Sequence, residues 1–295
     1  MARKKQKLQT AEYILLSASY KEWLTLLGYS SLSIPSLTLA VTDFLQYQER
    51  ENKVSLGELQ ASDANEFIAT VQRERNCSNG HVNKLVQALN LFSRYIRETN
   101  RCDIGFNLQR LEETRSEPTW LSKQEIQSLY EATGDHVLGI RDRAMLAVFY
   151  GCGLRLNEGA SLELKDINRS SKLLHVRKGK HYKERLVPVA SKSFEAISFY
   201  IDYGRPQLLQ EKKTEMLFID ANKGCAMQKQ SLYVRIKQLV KKAGIKKKVG
   251  THTLRHSIAT HLLQSGMKLE RIQQFLGHSN LDSTQLYTHL ANESL

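Results

Sequence analysis

Residues 252–263 read His-Thr-Leu-Arg-His-Ser-Ile-Ala-Thr-His-Leu-Leu. The stretch opens a helix over Thr253–Ser265 and sets His252 and Arg255 at i, i+3, so both project from one face and can reach the same anion. The first turn of a helix adds unpaired N–H donors and the positive end of the dipole at that place. His252 and His256 stand at i, i+4, a metal-ligand spacing. The glutamate of an HExxH site is missing, however, and Arg255 stands between the histidines, where its charge repels a metal ion. The stretch reads as an anion site built without metal.

Working outward from it, further groups of the same character appear at turns and helix ends. Downstream, a helix over Lys268–Leu276 ends in Leu276-Gly277-His278-Ser279, and a last helix over Asp282–Leu290 carries Tyr287 in Tyr287-Thr288-His289. Upstream, a helix over Ile140–Tyr150 runs into the tight turn Gly151-Cys152-Gly153, with Arg155 behind it. Glu158, three residues on, faces Arg155 across one helical turn and can hold it. Lys172–Arg177 and Glu184–Val189 are strand-like, and the segment Lys178–Lys183 joins them as a β-hairpin with Lys178 at its tip. Helices over Lys123–Ala132, Lys192–Tyr203 and Ser231–Ala243 and a short strand over Met216–Asp220 complete this half.

The charge follows the same division. The chain of 295 residues has a formal charge of +13. Residues 1–118 hold 15 Lys+Arg against 14 Asp+Glu, and residues 119–295 hold 28 against 16. Eight basic residues fall between Lys165 and Arg185, and six lysines with no acid between Lys237 and Lys248. Such a one-sided basic field implies a polyanionic partner, and phosphate is the one that fits. Lys180, Lys183, Lys241 and Lys242 are candidate contacts from these runs, as are Arg141 and Arg143 on the helix before the glycine turn. Neither GxGxxG nor GxxxxGK[ST] occurs, which argues against a dinucleotide enzyme or a P-loop nucleotidase. Four scattered cysteines give neither a zinc spacing nor a disulfide framework. No apolar run suits a membrane span and no signal-type core follows the basic start, so a cytoplasmic protein without membrane partner is expected.

The first half reads as helices over Ala11–Leu27, Ile34–Glu49, Asp63–Arg75 and Asn79–Thr99. In the last, Val82, Leu85, Val86, Leu89, Phe92, Tyr95 and Ile96 form one apolar stripe. Four such helices make a bundle. The polar stretch Leu111–Thr119 with Pro118 ends it, and Ser122-Lys123-Gln124-Glu125 is a capping box that starts the next helix. The expected organisation is a bundle over 1–115, a linker over 116–120 and a second domain over 121–295. The fold class is mainly α with a small β-sheet.

Taken in order, Arg155, Lys178, His252-x-x-Arg255, Leu276-Gly277-His278 and Tyr287 resemble the tyrosine recombinase family, which includes phage integrases, Xer-type recombinases and transposon integrases. GLRxxE at 153–158, KG at 178–179, HxLRHxxATHLL at 252–263, LGHS at 276–279 and YTH at 287–289 carry the resemblance. It implies a helical SAM-like core-binding domain followed by an α+β catalytic domain. It further implies site-specific cleavage and rejoining of double-stranded DNA through a 3′-phosphotyrosyl link at Tyr287, without cofactor. Arg155 and Arg255 would fork the phosphate, Lys178 would protonate the leaving 5′ oxygen, His252 and His278 would assist, and Glu158 would orient Arg155. A homotetramer on two synapsed sites is implied as well, with a related recombinase or accessory protein as a further partner. Two other readings stay open on the residues: a type IB topoisomerase-like relaxing enzyme and a catalytically silent DNA-binding accessory protein.

Overall fold

The computed structural model describes residues 7–113, 119–177 and 184–277. The chain divides into two compact units, Met1–Arg115 and Ser116–Leu295.

The first unit is built from α1 (Ala11–Leu26), α2 (Ile34–Arg50), α3 (Ala61–Arg75) and α4 (Asn79–Glu98). Every member of the α4 stripe is buried, and α1 adds Tyr13, Leu16, Tyr20 and Leu24 to the same core. Leu27, the expected last residue of the first helix, lies past the last turn of α1 and is exposed. Ser78 caps α4, its Oγ accepting from the His81 N–H, and Asn76, at φ 44°, ends α3 in the left-handed conformation. Beyond α4 the chain runs back extended. Asn83 and Asn90 hold it through paired hydrogen bonds to the backbone of Leu111 and Leu108.

The second unit wraps helices around a small sheet. Its elements are α5 (Lys123–Glu131), α6 (Val137–Leu146), α7 (Leu156–Ala160), β1 (Ile167–Asn168), β2 (Leu173–Val176), β3 (Arg185–Pro188), α8 (Ser191–Phe199), α9 (Arg205–Leu208), α10 (Lys229–Lys242), α11 (Thr251–Gln264) and α12 (Leu269–Leu276). The capping box at the start of α5 forms, with Ser122 and Glu125 in reciprocal contact. π-Helical turns extend α6 over Ala147–Gly151 and join α8 to α9 over Tyr200–Gly204. The sheet is antiparallel in the order β1-β2-β3, with Leu174 opposite Val187 and Val176 opposite Arg185. β1 was not anticipated; two residues are too few to show alternation.

One expected strand does not form. Within Met216–Asp220 only isolated bridges occur, from Met216 to Glu163 and from Ile219 to Ala226. The apolar run is nonetheless core, with Leu217, Phe218 and Ile219 buried, and burial rather than sheet pairing explains its composition. The helix expected over Asp282–Leu290 and the hairpin tip lie outside the described residues, as does part of the 116–120 linker. No helix among the described residues is long and apolar enough to cross a membrane.

Candidate active site

The site assembles where the turn before α7, strand β3, the first turn of α11 and the end of α12 meet. Gly153 makes this possible. It takes φ +61°, and a Cβ on it would stand 2.8 Å from Leu276 Cδ2, so only glycine lets the turn lie against α12. The turn aims Arg155 at the N-terminus of α7, where Glu158 accepts its backbone N–H at 2.9 Å and its guanidinium at 2.8 Å. The expected hold of Glu158 on Arg155 is thus seen in the geometry.

Arg255 works as a staple. It is 4% exposed and donates to the Gly153 carbonyl at 2.7 Å and the Leu276 carbonyl at 2.6 Å, with Glu158 Oε2 3.9 Å away. The guanidinium therefore ties the α7 turn to the end of α12 while keeping its charge beside the carboxylate. Arg155 is the more open of the two, with 22% of its side chain exposed and a bond to the Gly277 carbonyl at 3.3 Å.

A third arginine joins them that the sequence reading left within a basic run. Arg185 on β3 grips both oxygens of Glu158, at 3.1 and 2.9 Å, and donates to the Phe275 carbonyl at 3.2 Å. A signal for it was present. Arg185 alternates with Val187, which is fully buried, so strand parity already put an arginine on the core face. An arginine there needs a buried acid.

Three guanidiniums thus converge on one carboxylate, which leaves a surplus of positive charge among the described residues. Burial by itself would raise the pKa of Glu158. The hydrogen bonds and charge of Arg185 outweigh it, with help from Arg155, and hold the carboxyl at about 2. His252 stands at the first turn of α11, exposed at its edge. Partial desolvation, then the charges of Arg255 and Arg155, depress its pKa, so it is neutral at pH 7. His256 is depressed likewise, by burial and then by His252 and Arg255.

A groove of about 560 Å³ continues from His252 between α10 and the start of α11, lined by Lys237, Lys241, Lys247 and Lys248. Lys241 and Lys242 are both exposed. Lys247 is tied to the Trp120 carbonyl and to Glu125 at 2.7 Å. At the base of the hairpin Arg177 forks onto Asp166, at 2.5 and 2.9 Å, and reaches Glu163 at 3.0 Å.

One expected phosphate contact, Arg141, is corrected. Arg141 is 5% exposed and donates inward to the Ile219 carbonyl; it shares a helical stripe with the buried Ala144, Met145 and Val148. Arg143 is turned onto the loop before α6, bonding Thr133 Oγ1, the Gly134 carbonyl and Asp135. Among the described residues no group of three His, Cys, Asp or Glu is placed to hold a metal. The structure brings Arg155, Glu158, His252 and Arg255 together. Lys178, Lys180, Lys183, His278 and Tyr287 lie outside the described residues.

The chain belongs to the phage integrase family, whose model matches residues 119–294. It is 43% identical over 180 residues to the tyrosine recombinase XerD of Proteus mirabilis, the match covering 60% of this chain and 57% of that protein. Tyrosine recombinase XerD of Staphylococcus aureus is 41% identical over 179 residues, 60% of each chain. The match thus spans less than two thirds of either relative. Among solved structures, the XerH site-specific recombinase bound to palindromic difH substrate, a post-cleavage complex, superposes with a TM-score of 0.76 at 23% identity. That match covers 97% of this chain and 83% of the other, and so takes in N-terminal residues outside the family match. At this identity the likeness concerns the fold, mainly helical with one small antiparallel sheet.

Proposed function

We propose that the chain is a site-specific tyrosine recombinase that breaks and rejoins double-stranded DNA. The observation that carries the reading is the surplus positive charge around Glu158 among the described residues, set beside His252 at the N-terminus of a fourteen-residue helix. Such a place suits a phosphate diester whose non-bridging oxygens gain charge during displacement. Preorganised arginines can supply that stabilisation from side chains alone.

In the proposed reaction the Tyr287 phenolate oxygen bonds to the scissile phosphorus as the bond from phosphorus to the 5′ oxygen breaks. Lys178 gives its proton to that oxygen, which leaves as a hydroxyl. The tyrosine must first lose its own proton, and His252 is the group proposed to accept it. One phosphate ester has replaced another, so rejoining is the same step reversed and needs no nucleotide. Arg155 faces the phosphate at the open edge of the site, Arg255 holds its charge behind it, and His278 donates to a phosphate oxygen. Lys180, Lys183, Lys241 and Lys242 serve as contacts to flanking phosphates.

The matched relatives are named tyrosine recombinases, and the XerH complex holds its DNA substrate. Both support DNA as the partner here. The bundle of the first unit would contact the duplex as a core-binding domain, and four copies would synapse two sites in the cytoplasm. The test is incubation with nicked suicide duplexes from a genomic fragment library, followed by denaturing gels beside Tyr287→Phe. Adducts with the parent chain and none with the variant, on a restricted set of fragments, are expected. Adducts on every fragment would instead indicate a relaxing enzyme, and none, despite binding, an accessory protein.

A further inference from the structure

We propose that Arg185 is a positioning residue for strand cleavage, locking the hairpin strand, the arginine pair and the end of α12 into one geometry; the inference rests on the function proposed above.

The Arg185 guanidinium makes three hydrogen bonds to two separate elements: both Glu158 oxygens on α7 and the Phe275 carbonyl at the end of α12. Its own backbone belongs to β3, opposite Val176. Glu158 in turn holds Arg155, and the Phe275 carbonyl lies next to Leu276, whose carbonyl accepts from Arg255. Each expected catalytic arginine is therefore one contact away from Arg185. The packing is close enough that a Cβ on Gly277, at φ +65°, would stand 2.8 Å from Arg185 Cδ. A side chain at 277 would press on this arginine and push its guanidinium aside.

A merely structural ion pair would not require this arrangement. Arg155 already neutralises Glu158, and a second arginine on the same carboxylate adds charge the local balance does not need. Two carboxylate oxygens accept only a few hydrogen bonds, and Arg185 fixes their plane by engaging both. With that plane fixed, Arg155 has one direction in which to bond Oε1, and its free edge is set toward the open side of the site. Arg185 also opposes the burial that would otherwise favour a protonated Glu158. Protonated, Glu158 would lose its attraction for Arg155.

The test compares Arg185→Met and Arg185→Lys with the parent chain on the nicked duplex recovered from the parent's own adducts. Binding is read by gel shift, folding by thermal melting, and cleavage by single-turnover adduct formation from pH 5 to 9. Arg185→Met is expected to bind DNA within about threefold of the parent and to cleave at least thirtyfold more slowly. Its rate is expected to gain a new rise with pH, as Glu158, no longer held by Arg185, ionises within the range. In the double variant Glu158→Gln, Arg185→Met that rise disappears. Arg185→Lys restores part of the rate, since it returns the charge without the fork. Cleavage at the parental rate in Arg185→Met overturns the inference while leaving the function standing. So does a loss of melting transition and binding that matches the loss of cleavage, which marks a fold determinant. Absence of adduct from the parent chain itself overturns the function and the inference with it.

Discussion

Asp142 and Glu158 are both buried carboxylates of the second unit gripped by arginines, and they do different things. Asp142 on α6 is fully buried and takes Arg235 in a forked contact at 3.0 and 2.5 Å, with Arg141 3.7 Å away. Asp220 adds a further negative charge that acts on Arg141. Charges there balance, and the cluster pins α10 to α6. Glu158 faces three guanidiniums, and among the described residues these outnumber the acids they contact, so positive charge is left over at the edge where Arg155 and His252 lie. Balance makes a buried pair structural; imbalance at an open edge makes it an anion site.

The largest separation of the two clusters comes from removing one arginine in each. Arg255→Met should slow adduct formation by about 10³-fold, the loss expected when a fixed charge at a developing oxyanion is removed. Arg235→Met should cost about 3–5 kcal/mol of stability by leaving Asp142 without its fork, while the folded fraction cleaves at the parental rate. Denaturant melts and single-turnover assays on both variants decide this. Equal effects on stability and cleavage in the two would erase the distinction.

The next effect is on pH. Glu158 is held at about 2, below its ordinary 4.5, so its folded-state pKa is depressed. Its contribution, about 3 kcal/mol, is present above roughly pH 4.5 and lost as pH falls toward 2. Denaturant stability measured for the parent and Glu158→Gln between pH 7 and 3 should converge as the pH drops. A gap that stays constant would show that Glu158 is not the group titrating.

Gly153→Ala should cost about 1–3 kcal/mol, through the positive φ and the contact with Leu276, and should slow cleavage by displacing Arg155. Gly244→Ala is the control: φ is +70° but nothing lies within 4 Å of the added Cβ, so it should cost less and leave cleavage unchanged. The smallest effect is on His252. Arg155→Met removes one of the charges that depress its pKa, so the imidazole should titrate at a higher pH by NMR. An unmoved titration would place Arg155 too far away to matter.

Much of this was legible in the chain. The helical stripes of the first unit, the capping box at Ser122 and the glycine turn before Arg155 are local, and periodicity or backbone preference alone decides them. Arg155, Glu158, His252 and Arg255 were legible as an ordered set. Arg141 was misread because its charge was weighed before its place on a stripe with Ala144, Met145 and Val148. Arg185 was passed over for the converse reason, since its strand parity with Val187 went unread.

Residue type and order carry charge and chemistry, and they were enough to place a basic, ordered set of Arg155, Glu158, His252 and Arg255 in the second half. Which arginines share a carboxylate follows only from the packed fold, for Arg185 is 27 residues from Glu158 and Arg255 is 102 from Gly153. Contacts over such separations depend on how strands and helices pack. Charge balance, which separates an anion site from a structural pair, is a property of that packing and not of any single stretch of chain.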